Sequence, residues 1–164
     1  MFKNTIFRRM TALVLTLALA AAAALPGLAV YPMPIQTASE TEAVYLFNAD
    51  TGKTILNQNA DQQQYVASLT KLMTALLLLE SGKDLNGEVT VPTALTQEFR
   101  DIQNANGTTM GLRIGETVRR IDLLNAMLIV SANDAASVIA YDVGGSVLDF
   151  VKQMNARAQE LGCT

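Results

Sequence analysis

Ser68 and Lys71 stand three residues apart at the head of "VASLTKLMTALLLLES", Val66 to Ser81, and together can do covalent chemistry. On a helix, residues i and i+3 share a face about one turn apart, so the amine reaches the hydroxyl. A serine hydroxyl is a weak nucleophile until a base takes its proton. A lysine is that base once desolvation has removed its charge. The apolar run around Lys71 and the positive end of the helix macrodipole both favour the neutral amine. The same helix start supplies backbone N–H groups that can hold an oxyanion. A second constellation is "VSAND", Val130 to Asp134, which sets Ser131 and Asn133 on a tight connection between two apolar helices. Connections of that kind present polar groups into clefts. Each stretch, taken alone, also fits plain helix capping, with the lysine stem lying along an apolar rim.

Absences narrow the chemistry. The chain has 164 residues, no histidine, no tryptophan and one cysteine, Cys163. Without histidine there is no Ser-His-Asp triad, no Cys-His pair and none of the common zinc sites. A single thiol forms no internal disulfide. Lysine and the carboxylates are the bases that remain.

The N-terminus reads as an export signal. "MFKNTIFRRM" carries Lys3, Arg8 and Arg9 and no acid, an apolar block follows to Leu25, and Gly27 and Ala29 have the small-residue spacing of a cleavage site. The block is shorter than the ~20 residues of a membrane span, so residues 1–29 are assigned to a removed signal peptide. No cysteine near the cleavage point offers a lipid attachment. Removing three of the twelve basic residues leaves nine against fifteen acidic ones, a net charge of −6. That sign opposes a phosphate backbone as partner, and few aromatics leave no stacking platform; nucleic acid is excluded.

The elements that must position the two pairs follow from pattern. Residues 30–42, with two prolines, form a flexible lead-in. Ala43–Phe47 and Thr54–Asn57 are strand-like around the turn chemistry of "NADTGK", with Gly52 free to take positive φ. A hairpin alone is unstable in water and must join a larger sheet. Ser68 to about Glu80 is one helix stopped by Gly82, and its nearly continuous leucines predict a central helix buried all round. "GEVTVP" is a short strand around Val91 and the one candidate to pair with the hairpin. The pattern from Thr93 to Gly115 is weak. Thr117 caps a helix through Leu128, Asn133 or Asp134 caps one over Ala135–Tyr141, and Ser146 starts the last.

Together these stretches resemble the penicillin-recognising serine enzymes, specifically the low-molecular-weight D-alanyl-D-alanine carboxypeptidases. Ser68-Leu69-Thr70-Lys71 matches the family's S-x-x-K motif within "ASLTKLMTA", and Ser131-Ala132-Asn133 matches S-x-N within "SANDAA". "MGLRIGETV" and the hairpin "AVYLFNADTGKTIL" are similar to the family's flanks, so the resemblance covers roughly residues 43 to 162. It implies an α/β (α+β) fold of the β-lactamase/DD-peptidase type, an antiparallel sheet with a helical subdomain. It also implies a nucleophile at Ser68, a base at Lys71, a proton relay at Ser131 and a substrate-backbone contact at Asn133. The implied substrate is a peptidoglycan stem peptide ending in D-Ala-D-Ala, with β-lactams as its mimics, no metal or organic cofactor, and an exported, cell-envelope location. The family's third motif, K-T-G or H-T-G on a later strand, has no match here. Residues 43–164 are therefore expected to be an incomplete catalytic domain with little turnover, any membrane association lying in the missing C-terminal part. The alternatives are a serine β-lactamase, for which Glu160 is the only late candidate base, and a non-catalytic wall-binding relative.

Overall fold

A computed structural model describes residues 41–163. The signal peptide expected at 1–29 and the expected lead-in, apart from residues 41 and 42, lie outside the described residues. The chain divides into two compact units, Met1–Gln62 and Gln63–Thr164.

In the first unit, β1 (Val44–Asn48) and β2 (Lys53–Gln58) pair antiparallel, from Val44 opposite Gln58 to Asn48 opposite Lys53. The turn is built as its residue types require. Gly52 takes φ +67°, and the Asn48 side chain accepts from the Thr51 N–H at 2.9 Å. The register slips between Leu46 and Phe47, so one residue of β2 bulges. Tyr45 and Phe47, two apart on one face, stack with ring centroids 6.3 Å apart.

The second unit is helical. Its elements are α1 (Thr70–Glu80), β3 (Glu88–Thr90), α2 (Thr96–Asn104), β4 (Thr117–Arg119), α3 (Arg120–Ile129), α4 (Asn133–Gly144) and α5 (Val147–Glu160). Helix α4 packs against each of the other four. It buries Asp134, Ala135, Ser137, Val138, Ile139 and Ala140 because its small side chains let neighbouring backbones approach. Leu78, Val91, Leu95, Leu123 and Met127 complete the core. The α4–α5 corner is tight: a Cβ on Gly144 would lie 2.6 Å from Phe150 Cβ, and Gly145 at φ +76° ends the helix. Ser146 then caps α5 by accepting from the Asp149 N–H at 3.0 Å, as expected. Among the described residues no helix is long and apolar enough to cross a membrane.

Four expectations are corrected. The helix expected from Ser68 opens as a 3-10 turn at Ala67–Leu69 that tightens its first residues and runs directly into α1, and Ala67 at φ +45° sets where it starts. Nor is α1 buried all round: Leu78 is fully buried, but Leu72 and Leu79 are 60% and 56% exposed. Burial follows which neighbours pack on a face, and composition does not report them. Thr117 lies in a strand, not at a helix cap; β4 pairs with β3, Val89 opposite Val118, so the strand before Val91 finds its partner there. The weakly patterned stretch holds α2, with Leu95 buried and Phe99 packed on the core.

Candidate active site

The site forms where the leading ends of α1 and α4 meet. Ser68 sits in the 3-10 turn after Ala67, and Lys71 in the first turn of α1. Ser131 precedes α4 with φ +61°, in the left-handed region, and Asn133 is the first residue of α4. L-residues rarely adopt this backbone, at a cost on the order of 1–3 kcal/mol each, and such residues cluster at functional sites. Here one stands beside one serine and the other is the second serine.

The structure brings all four sequence-derived residues together. Lys71 Nζ donates to Asn133 Oδ1 at 2.7 Å and to Ser131 Oγ at 3.1 Å, and Ser131 Oγ donates to Ser68 Oγ at 2.9 Å. The connection from Lys71 to Ser68 thus runs through Ser131. The i, i+3 spacing alone suggests a direct contact, but the hydroxyl of Ser131 stands between the two, within 3.1 Å of Lys71 Nζ and 2.9 Å of Ser68 Oγ. Burial lowers the Lys71 pKa, since desolvation penalises the ammonium. A neutral amine has two N–H bonds, matched here by two acceptors, and keeps a lone pair for a proton.

Ser68 lies between two concavities. One, of about 470 Å³, is lined by Lys71, Asn133, Glu98, Ser137 and, on its apolar wall, Phe150 and Met154. The other, of about 360 Å³, is a largely apolar groove formed by Leu69, Leu72, Met127 and Leu128. A hydroxyl bordered by two such hollows can be approached by a chain extending on both sides of the reacting bond.

Two contributors were not singled out from sequence. The Thr108 carbonyl accepts from both the backbone N–H (2.8 Å) and Nδ2 (3.1 Å) of Asn133. Gly107 leaves the amide its space: a Cβ there would stand 3.0 Å from Asn133 Nδ2. Both belong to "NANGTT", whose composition marks a loop without naming what the loop supports.

The family model for D-alanyl-D-alanine carboxypeptidase matches residues 32–164. The chain belongs to that family. The resemblance read from the S-x-x-K and S-x-N stretches is borne out, and the β-lactamase alternative is not favoured. Among relatives, the chain is 33% identical over 130 residues to D-alanyl-D-alanine carboxypeptidase DacF of Bacillus subtilis, covering 77% of this chain and 32% of that protein. It is 35% identical over 130 residues to a D-alanyl-D-alanine endopeptidase of Pseudomonas aeruginosa, covering 79% and 40%. The crystal structure of the Streptomyces K15 DD-transpeptidase superposes with a TM-score of 0.65 at 30% identity, over 73% of this chain and 47% of that one. Penicillin-binding protein 5 of Haemophilus influenzae gives 0.59 at 31% identity, over 69% and 33%. The expected mixed α/β fold of the DD-peptidase type is therefore shown. The chain spans about a third to two-fifths of the length of these two curated relatives.

Proposed function

We propose that this carboxypeptidase-family chain carries the acylating machinery of a serine D-Ala-D-Ala carboxypeptidase. Its substrate would be the D-Ala-D-Ala end of a peptidoglycan stem peptide, with β-lactams as covalent mimics. The observation that carries the reading is the unbroken Lys71–Ser131–Ser68 hydrogen-bonded path with a desolvated amine at its head. At rest the protons point from Lys71 to Ser131 and from Ser131 to Ser68, so the two hydroxyls first rotate and the neutral amine turns its lone pair to Ser131. As Ser68 Oγ attacks the carbonyl, its proton then passes to Ser131 Oγ, which gives its own to Lys71. The reverse transfer through Ser131 protonates the nitrogen of the departing D-alanine, and water then hydrolyses the ester on Ser68. Asn133 has one Nδ2 proton committed to Thr108, and the other is left for a substrate carbonyl. The helical start around Ser68 supplies backbone N–H for the oxyanion. Residues 1–29 would act as the export signal that brings residues 43–164, part of a catalytic domain, to the envelope where this substrate lies.

The test is incubation of the purified chain with a fluorescent penicillin, with mass spectrometry of the labelled peptide. Label on Ser68, absent from Ser68→Ala, is expected, with little steady release of D-alanine from a D-Ala-D-Ala peptide. An unlabelled intact chain, or label persisting in Ser68→Ala, contradicts the reading.

A further inference from the structure

Asp134 follows Asn133 directly and is only 2% exposed, yet among the described residues its carboxylate faces no cation. Its two oxygens are filled by backbone N–H groups. Oδ1 accepts from Met110 at 3.0 Å and from its own neighbour Ala135 at 2.9 Å; Oδ2 accepts from Gly111 and Leu112, both at 3.0 Å. Hydrogen bonds to an ionised acceptor are stronger than neutral ones, and three of these four donors belong to one loop. The carboxylate therefore fastens residues 110–112 to the head of α4. Gly111 adopts φ +85° there, which lets consecutive N–H groups converge on one side chain.

That loop reaches the candidate site through Thr108. A carbonyl only accepts, so the Thr108 oxygen dictates that Nδ2 of Asn133 faces it and that Oδ1 turns to Lys71. Were the carbonyl to drift, the amide would lose the acceptor that holds its Nδ2 and would be oriented from the Lys71 side alone. Lys71 would then lose the shorter of its two hydrogen bonds. Behind the loop, Gly107 and Ile102 close the space: a Cβ on Gly107 would lie 3.0 Å from Ile102 Cγ2 and 3.1 Å from its carbonyl oxygen.

We propose that Asp134 is a positioning residue for the candidate site: by clamping residues 110–112 it holds the Thr108 carbonyl where it orients the Asn133 amide toward Lys71. The consequence for catalysis rests on the reading of Lys71 as the base, but the clamp itself does not. Asp134→Asn keeps the shape and replaces one acceptor oxygen with an NH2 group that meets N–H donors head on.

The experiment is NMR hydrogen exchange on the whole 164-residue chain without substrate or β-lactam. In the wild type, the amides of Met110, Gly111 and Leu112 and the Nδ2 protons of Asn133 are expected to exchange at least ~10-fold slower than exposed loop amides. In Asp134→Asn the Asn133 Nδ2 protons speed up by about that factor and shift in frequency, while the Leu78 and Leu123 amides stay as slow as before. Asp149→Asn, which alters the remote cap of α5, leaves the Asn133 signals in place. Gly107→Ala moves the Asn133 resonances while residues 110–112 remain protected. Fast exchange of Met110–Leu112 in the wild type overturns the proposal even if Asp134→Asn does not fold. Unaltered Asn133 Nδ2 signals in a folded Asp134→Asn overturn it too. Either failure leaves penicillin labelling of Ser68 standing, and failure of labelling leaves the clamp standing.

Discussion

Helices α1 and α4 bring their leading ends together, yet the two are built on opposite principles. Helix α1, "TKLMTALLLLE", is the more apolar, but it buries only Thr74, Ala75 and Leu78 and leaves Leu72 and Leu79 exposed. Helix α4, "NDAASVIAYDVG", looks mixed, but it buries an aspartate, a serine and a run of small apolar residues against four neighbouring helices. Small side chains allow approach from several sides at once. Large ones need a partner shaped to each. The difference also separates the roles of the two helix heads. That of α4 is locked by the Asp134 clamp and the Thr108 carbonyl, whereas Ser68, at that of α1, borders two concavities. A reactive hydroxyl needs access, and the groups that steer its proton need rigidity.

The sharpest way to break this division is to remove the link between the two helix heads. Ser131→Ala deletes the hydroxyl joining Lys71 to Ser68 and should slow penicillin acylation by about 10²- to 10⁴-fold with the melting temperature little changed. Stopped-flow or quenched labelling measures it; a rate within a few-fold of wild type would mean that Lys71 reaches Ser68 unaided. The bodies of the helices come next. Leu78→Ala, in the covered face of α1, should destabilise by about 2–5 kcal/mol, and Leu72→Ala, on the open face, by less than about 1 kcal/mol. Equal costs in denaturant titrations would mean that α1 is covered on both sides. Smallest is Ser146→Ala, which removes the α5 cap and should cost about 1 kcal/mol without changing acylation.

Much of the site was legible because each reactive pair is local. Ser68 with Lys71, and Ser131 with Asn133, lie within a turn of helix, so residue type and spacing suffice to mark them. The turn at Gly52, the helix stop at Gly82 and the cap at Ser146 were legible for the same reason. What pattern could not supply is long-range. That Ser131 intervenes between Lys71 and Ser68 depends on a left-handed backbone at φ +61°, which no spacing rule announces for a serine. Helix α2 offers few apolar positions, Phe99 and Ile102, in an otherwise polar run, and β4 is three residues long. Asp134 reads as one more cap until the loop more than twenty residues upstream is folded onto it. The leucines of α1 announce burial, but which of them are covered is decided by elements elsewhere in the chain.

The proposed chemistry requires that burial make the Lys71 ammonium easier to deprotonate within reach of the serine pair. Its burial lowers the pKa, so only above that lowered value is the amine free to accept the Ser68 proton, and acylation should rise as pH climbs through it. The unfolded chain keeps this proton to higher pH than the folded one. Stability relative to Lys71→Met should therefore increase with pH between the folded midpoint and about 10.4. The most direct measurement is a pH titration of the Lys71 Cε resonance in chain carrying ¹³C-labelled lysine, assigned by its loss in Lys71→Met. A midpoint clearly below that of the exposed lysines is the expected result. A midpoint together with theirs, at about 10.4, would mean that Lys71 is an ordinary ammonium and not the base.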